Sequence, residues 1–129
     1  MRLLITLITA ALLATVFTAP AQGSAASLVQ PLIPECSNTY YGGKIKPRWW
    51  DGGCTGSIDI RNARWSEWGQ EARARGRSSW GARARLRASR IRWCDTDYRE
   101  DRERYRRFYT RIQLWWSDGH KRTYRAFCG

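Results

Sequence analysis

The chain carries a single histidine, His120, and only three lysines, Lys44, Lys46 and Lys121. His120 follows Ser117-Asp118-Gly119, a turn sequence, so a Ser-His-Asp or Cys-His arrangement lacks a well-positioned base. No C-x2-C pair is present to begin a zinc site. Gly42-Gly43 and Gly52-Gly53 are isolated turn pairs, not a phosphate-cradling glycine loop, and no cofactor motif is found. Acid is scarce too: 11 Asp and Glu stand against 23 Lys and Arg, a formal charge of +12. Asp95 and Asp97 copy the opening of a calcium loop, but the loop glycine and the later ligands are missing. Residues 95–107 therefore read as a solvated segment in which carboxylates neutralise neighbouring arginines, and no metal is expected.

Arginine and aromatic rings are what the chain has in excess. All but three of its 23 cations are arginine, alongside eight Trp, six Tyr and three Phe. With 43% hydrophobic residues, disorder driven by charge is excluded. Met1-Arg2, the apolar run from Leu3 to Ala19 and Ala19-Pro20-Ala21 form an export pattern. Residues 1–21 are thus expected to be a cleaved signal peptide, with cleavage as late as residue 26, and no transmembrane segment after it. Cleavage after Ala21 leaves 108 of the 129 residues and, losing only Arg2, about +11 of the +12. In an exported chain Cys36, Cys54, Cys94 and Cys128 are expected to form two disulfides. Three connectivities exist, and closing two local loops favours Cys36–Cys54 and Cys94–Cys128.

The rest of the chain reads as strands. Residues 22–35 are an extended lead-in to a single β-rich domain, 36–129. Tyr40-Tyr41-Gly42-Gly43 and Asp51-Gly52-Gly53 flank a short strand that Pro47 interrupts. Ser57 to Arg61 alternates polar and apolar and runs on toward Trp65. Ala82, Ala84, Leu86 and Ala88 share one face if extended, with Arg83, Arg85 and Arg87 on the other; a helix would scatter both sets. Past Ser89 the phase shifts to Ile91 and Trp93, which predicts a bulge or bend. A C-terminal hairpin is expected from about Arg106 to Cys128, with Phe108, Thr110, Ile112, Leu114 and Trp116 on one face. Its other face would hold Tyr109, Arg111, Gln113 and Trp115 against Arg125 and Phe127, Trp115 stacking on a cross-strand arginine. The fold class is therefore all-β, a small disulfide-linked antiparallel β-sandwich-like domain.

Trp65-Ser66-Glu67-Trp68-Gly69, followed by Ala72, Ala74 and Gly76, together with the export pattern and four cysteines, resembles by type the small secreted disulfide-linked proteins of actinobacteria. The resemblance implies secretion and a compact disulfide-linked fold, and it carries over no functional residue. Trp68-Gly69 before Ala72-Arg73-Ala74-Arg75 is also echoed by Trp80-Gly81-Ala82-Arg83-Ala84-Arg85, as two consecutive strands of similar pattern would be.

Function rests on charge. Arginine forks bind phosphate, sulfate or carboxylate, and a neighbouring Trp can stack on bases or sugars. The expected function is that of a secreted, non-catalytic, monomeric protein that binds anionic polymers or cell-envelope components, and nucleic acid only non-specifically. Its candidate binding residues are Arg83, Arg85, Arg87, Arg92, Arg111, Arg125, Trp93 and Trp115. One alternative is an antibacterial or toxin-like protein using Trp93, Trp115 and Trp116 beside arginine; another is a small secreted hydrolase such as a nuclease. A GC-rich genome would also write arginine over lysine with no binding role at all.

Overall fold

A computed structural model of the chain describes residues 30–96 and 105–129. The export segment, the start of the lead-in and most of the acidic segment lie outside these residues.

Eight strands follow in order: β1 (Ile33–Pro34), β2 (Gly43–Lys44), β3 (Trp49–Trp50), β4 (Ile60–Trp68), β5 (Ala72–Arg77), β6 (Arg83–Asp95), β7 (Tyr105–Trp116) and β8 (Lys121–Arg125). β3 to β8 form one six-stranded antiparallel sheet in chain order, and β1 and β2 form a small antiparallel pair beside it. Short turns join β4 to β5, β5 to β6 and β7 to β8. Gly81 (φ 90°) and Gly119 (φ 91°) supply the left-handed backbone that the β5–β6 and β7–β8 turns need. The structure is thus all-β and antiparallel, and both disulfides, Cys36–Cys54 and Cys94–Cys128, are formed.

Alternation sorts the large sheet into two faces. Ala72, Ala74, Ala84, Leu86, Ala88, Ile112, Leu114 and Trp116 are buried on the inner face. The alanines of β5 and β6 are small, and the rings of Trp50, Trp65, Trp68, Tyr109 and Trp116 pack into the same core. Most of these rings also find polar partners. The indole N–H groups of Trp50, Trp65 and Trp116 donate to the carbonyls of Pro34 (2.8 Å), Pro47 (2.9 Å) and Asp59 (2.9 Å). Half of the tryptophans that stand out in the composition therefore build the core.

The first and last strands of the meander meet. Trp50 on β3 and Tyr124 on β8 pack edge to face with ring centroids 5.2 Å apart. Between them lies Asp59, which accepts hydrogen bonds from the Tyr124 hydroxyl (2.7 Å) and the Gly52 amide (2.9 Å). Side chains from the two edge strands thus meet at the core. Ile33 of β1 enters this core, while Leu32 packs with Phe108 and Cys94 in a second, smaller one.

Besides a register shift between Trp65 and Glu67 in the β4–β5 ladder, two irregularities re-aim side chains. The β4–β5 register jumps between Arg61–Arg77 and Arg64–Arg75, where Asn62 has φ 53°. Gly76 lies opposite this bulge, where a β-carbon would come within 2.5 Å of the Arg61 carbonyl. In β6, Arg90 has φ 59°, and beyond it Ile91 and Tyr109 face the main core in place of the even-numbered residues. The bend expected past Ser89 is therefore present, with two corrections. Trp93 is 63% exposed and does not join the apolar side, and Tyr109, expected on the outer hairpin face, is fully buried.

Candidate anion-binding face

The outer face of the large sheet follows from its register. Residues directly opposite on neighbouring antiparallel strands share a face. β5 and β6 pair Arg73 with Arg87, Arg75 with Arg85 and Arg77 with Arg83. β4 adds Glu67 beside Arg73, Arg64 beside Arg75 and Arg61 beside Arg77. β7 sets Trp115 beside Arg85, Gln113 beside Arg87 and Arg111 beside Ser89. β8 then places Lys121 beside Trp115 and Arg125 beside Arg111. One row thus crosses five strands as Arg64, Arg75, Arg85, Trp115 and Lys121, without an acid.

Carboxylates reach this face at one end only. Glu71, in the β4–β5 turn, accepts from Arg87 Nε (3.1 Å), closely from Arg87 Nη2, and from Arg73 Nη2 (3.1 Å). Glu67 pairs with Arg73 Nε at 3.1 Å. The hydrogen bond from Arg87 is the main cause that lowers the Glu71 carboxyl's pKa, desolvation opposes it, and Arg73 adds a lesser lowering; Glu71 in turn raises Arg87. Arg75, Arg77, Arg83 and Arg85 have no carboxylate partner among the described residues, although Arg77 Nη1 donates to the Gly81 carbonyl at 3.1 Å.

Two shallow clefts cut into this unneutralised part. One, of about 500 Å³, is lined by Arg75, Arg83, Arg85 and Trp115; the other, of about 320 Å³, by Arg73, Arg75, Arg85, Arg87 and Trp115. Arg75, Arg85 and Trp115 line both. A third cleft of about 390 Å³ near Trp49 and the Cys36–Cys54 bridge contains Glu35 and Asp51, carboxylates that repel the same ligands.

Of the residues named from sequence, Arg83, Arg85, Arg87, Arg111, Arg125 and Trp115 fall on one face. Arg111 is half-buried, and its Nε has no acceptor. Arg92 and Trp93 pair with Phe108 and Arg107 beyond the reversal at Arg90, so no register pair ties them to this block. Trp116, named beside Trp115 for the antibacterial alternative, is buried at 5% exposure. The stacking expected for Trp115 is not what forms: among the described residues the cation over a ring is Lys44, 5.1 Å from the Trp49 centroid. Sequence reading missed Arg61, Arg64, Arg73, Arg75, Arg77 and Lys121 as members of the face. The echoed Ala-Arg-Ala-Arg segments are the signal that points to them, because two like strands joined by a short turn pair face to face.

Among the described residues no group of three or more His, Cys, Asp and Glu is placed to hold a metal ion, and no helix is long and apolar enough to cross a membrane. Comparison of the chain with protein-family models, curated proteins and solved structures finds no match.

Proposed function

We propose that this is a secreted, non-catalytic protein that binds anionic polymers of the cell envelope or its surroundings through the outer face of β4 to β8. The observation that carries this reading is the run of three directly opposed Arg–Arg pairs on β5 and β6, two of them without a carboxylate. Like charges placed directly opposite destabilise a sheet, so the arrangement has an electrostatic cost that a bound anion would relieve. Planar guanidinium forks suit phosphate, sulfate and carboxylate, and the attraction is salt-dependent because counterions are released. Two disulfides accord with an oxidising compartment. Nucleic acid would bind here through its backbone without sequence preference.

Heparin chromatography tests the reading. The chain should be retained and should elute only at elevated salt. Arg75→Glu combined with Arg85→Glu should cut retention sharply, whereas Lys46→Glu, exposed in the loop before β3, should change it little. Elution at low salt, or equal loss from both variants, would overturn it.

A further inference from the structure

The protein already holds one anion across one of its arginine pairs, and that anion is its own. Arg73 and Arg87 are register partners on neighbouring strands, and the Glu71 carboxylate accepts hydrogen bonds from both. A single carboxylate thus bridges two opposed guanidinium groups across the β5–β6 ladder. The next two pairs, Arg75–Arg85 and Arg77–Arg83, lie on the same strands and the same face, two and four residues further along. No carboxylate among the described residues reaches either of them.

We propose that Glu71 is a built-in occupant of the first rung, and that the second and third rungs each take one phosphate of a phosphodiester-linked chain. The inference rests on the polyanion reading above and narrows it to a ligand class. Successive rungs are two residues apart, about 6.5–7 Å along the strands. A phosphodiester chain carries a compact anion at every repeat, with two non-bridging oxygens that can each face one guanidinium of a pair. Trp115, beside Arg85 and lining both clefts, offers a flat surface to whatever links one phosphate to the next. Wall polymers of polyol phosphate and single-stranded nucleic acid share this chemistry.

Two labelled series distinguish the rungs from general charge attraction: thymidylate chains of one to six phosphodiesters, and the matching abasic deoxyribose-phosphate chains, measured by fluorescence anisotropy at fixed salt. Wild-type affinity should climb steeply up to two phosphates and flatten beyond. Glu71→Gln removes the carboxylate that bridges the first rung, releasing Arg87 and leaving Arg73 with Glu67 alone, so the break should move to three phosphates and the three-phosphate chain should bind about tenfold tighter. Glu35→Gln makes the same charge change beside Lys44, away from the ladder, and should alter affinity by less than about twofold. Arg75→Gln should move the break down to one phosphate. Stronger binding of thymidylate than of the abasic chain supports the rungs with a base stacked on Trp115, as in nucleic acid; equal binding supports them with a polyol phosphate as the natural chain. If Glu71→Gln and Glu35→Gln act alike, or the break stays fixed in both Glu71→Gln and Arg75→Gln, the rung assignment is overturned while polyanion binding stands. If no chain of either series binds the wild type, the polyanion reading falls as well.

Discussion

Asp59 shows how much one side chain holds in this small sheet. It is 2% exposed, and it joins the β3–β4 loop to β8 through the Gly52 amide and the Tyr124 hydroxyl. Asp59→Ala would leave two donors without their acceptor at the junction of the first and last strands. The expected cost is about 3 kcal/mol in urea unfolding, with Tyr124→Phe costing less, about 1.5 kcal/mol. In sequence Asp59 sits at a polar position of the Ser57–Arg61 alternation, where it reads as a surface residue. Its burial depends on Tyr124, 65 residues away, and no local pattern reports that partner. Tyrosine acidity gives a second residue-scale prediction. Burial is the main cause raising Tyr124 and Tyr109 above the ordinary value of 10.0. The ionised phenolate is therefore disfavoured in the fold. This stability is fully present below pH 10 and is lost as the pH rises through the raised folded values. Alkaline titration of unfolding should show a fall above about pH 10 that is smaller in Tyr124→Phe.

At the scale of elements, the β5–β6 hairpin separates selection from codon bias. Its inner partners are alanines, Leu86 and Gly76, which the strand period already indicated, and its outer partners are the opposed arginines. The alternation was legible because a two-residue period is local. Which arginine faces which was not, because register depends on turn length and on the bulge at Asn62. If arginine is there only by genomic bias, removing one should be neutral for binding. If the ladder binds anions, Arg85→Thr relieves repulsion from Arg75 and raises β-propensity while removing a contact. The expected result is a gain of up to about 1 kcal/mol in stability together with weaker retention on heparin. Acid pH probes the same hairpin. Glu71 faces Arg73 and Arg87, with Glu67 also on Arg73, and its carboxyl is held below 4.5 chiefly by the Arg87 hydrogen bond. Its pairing is complete above pH 4.5 and is lost as the pH falls through the lower folded value, while phosphodiesters stay ionised. Binding of a phosphodiester chain should tighten over that window in the wild type and much less in Glu71→Gln.

Across the whole molecule, the two disulfides fasten parts of the chain that the binding face does not use. Cys36–Cys54 spans 18 residues and ties the segment between β1 and β2 to the loop after β3. Cys94–Cys128 spans 34 residues and secures the C-terminus to β6, where Cys94 is buried with Leu32 and Phe108. On the chain-entropy model these closures contribute about 3 and about 4 kcal/mol. The second also fills part of an apolar cluster, so Cys94→Ser with Cys128→Ser adds the burial of a hydroxyl to the loss of the crosslink. That variant should lose more stability than Cys36→Ser with Cys54→Ser, as read from denaturant midpoints. The arginine rows are fixed by the hydrogen-bonded register of β4 to β8, in which Cys36 and Cys54 take no part and Cys94 enters only opposite Arg106, beyond the reversal at Arg90. Wherever the Cys36→Ser and Cys54→Ser variant remains folded, its salt-dependent retention on heparin should therefore match the wild type. Loss of retention in that folded variant would mean that the Cys36–Cys54 loop, beside the cleft at Trp49, is part of the surface the polymer touches.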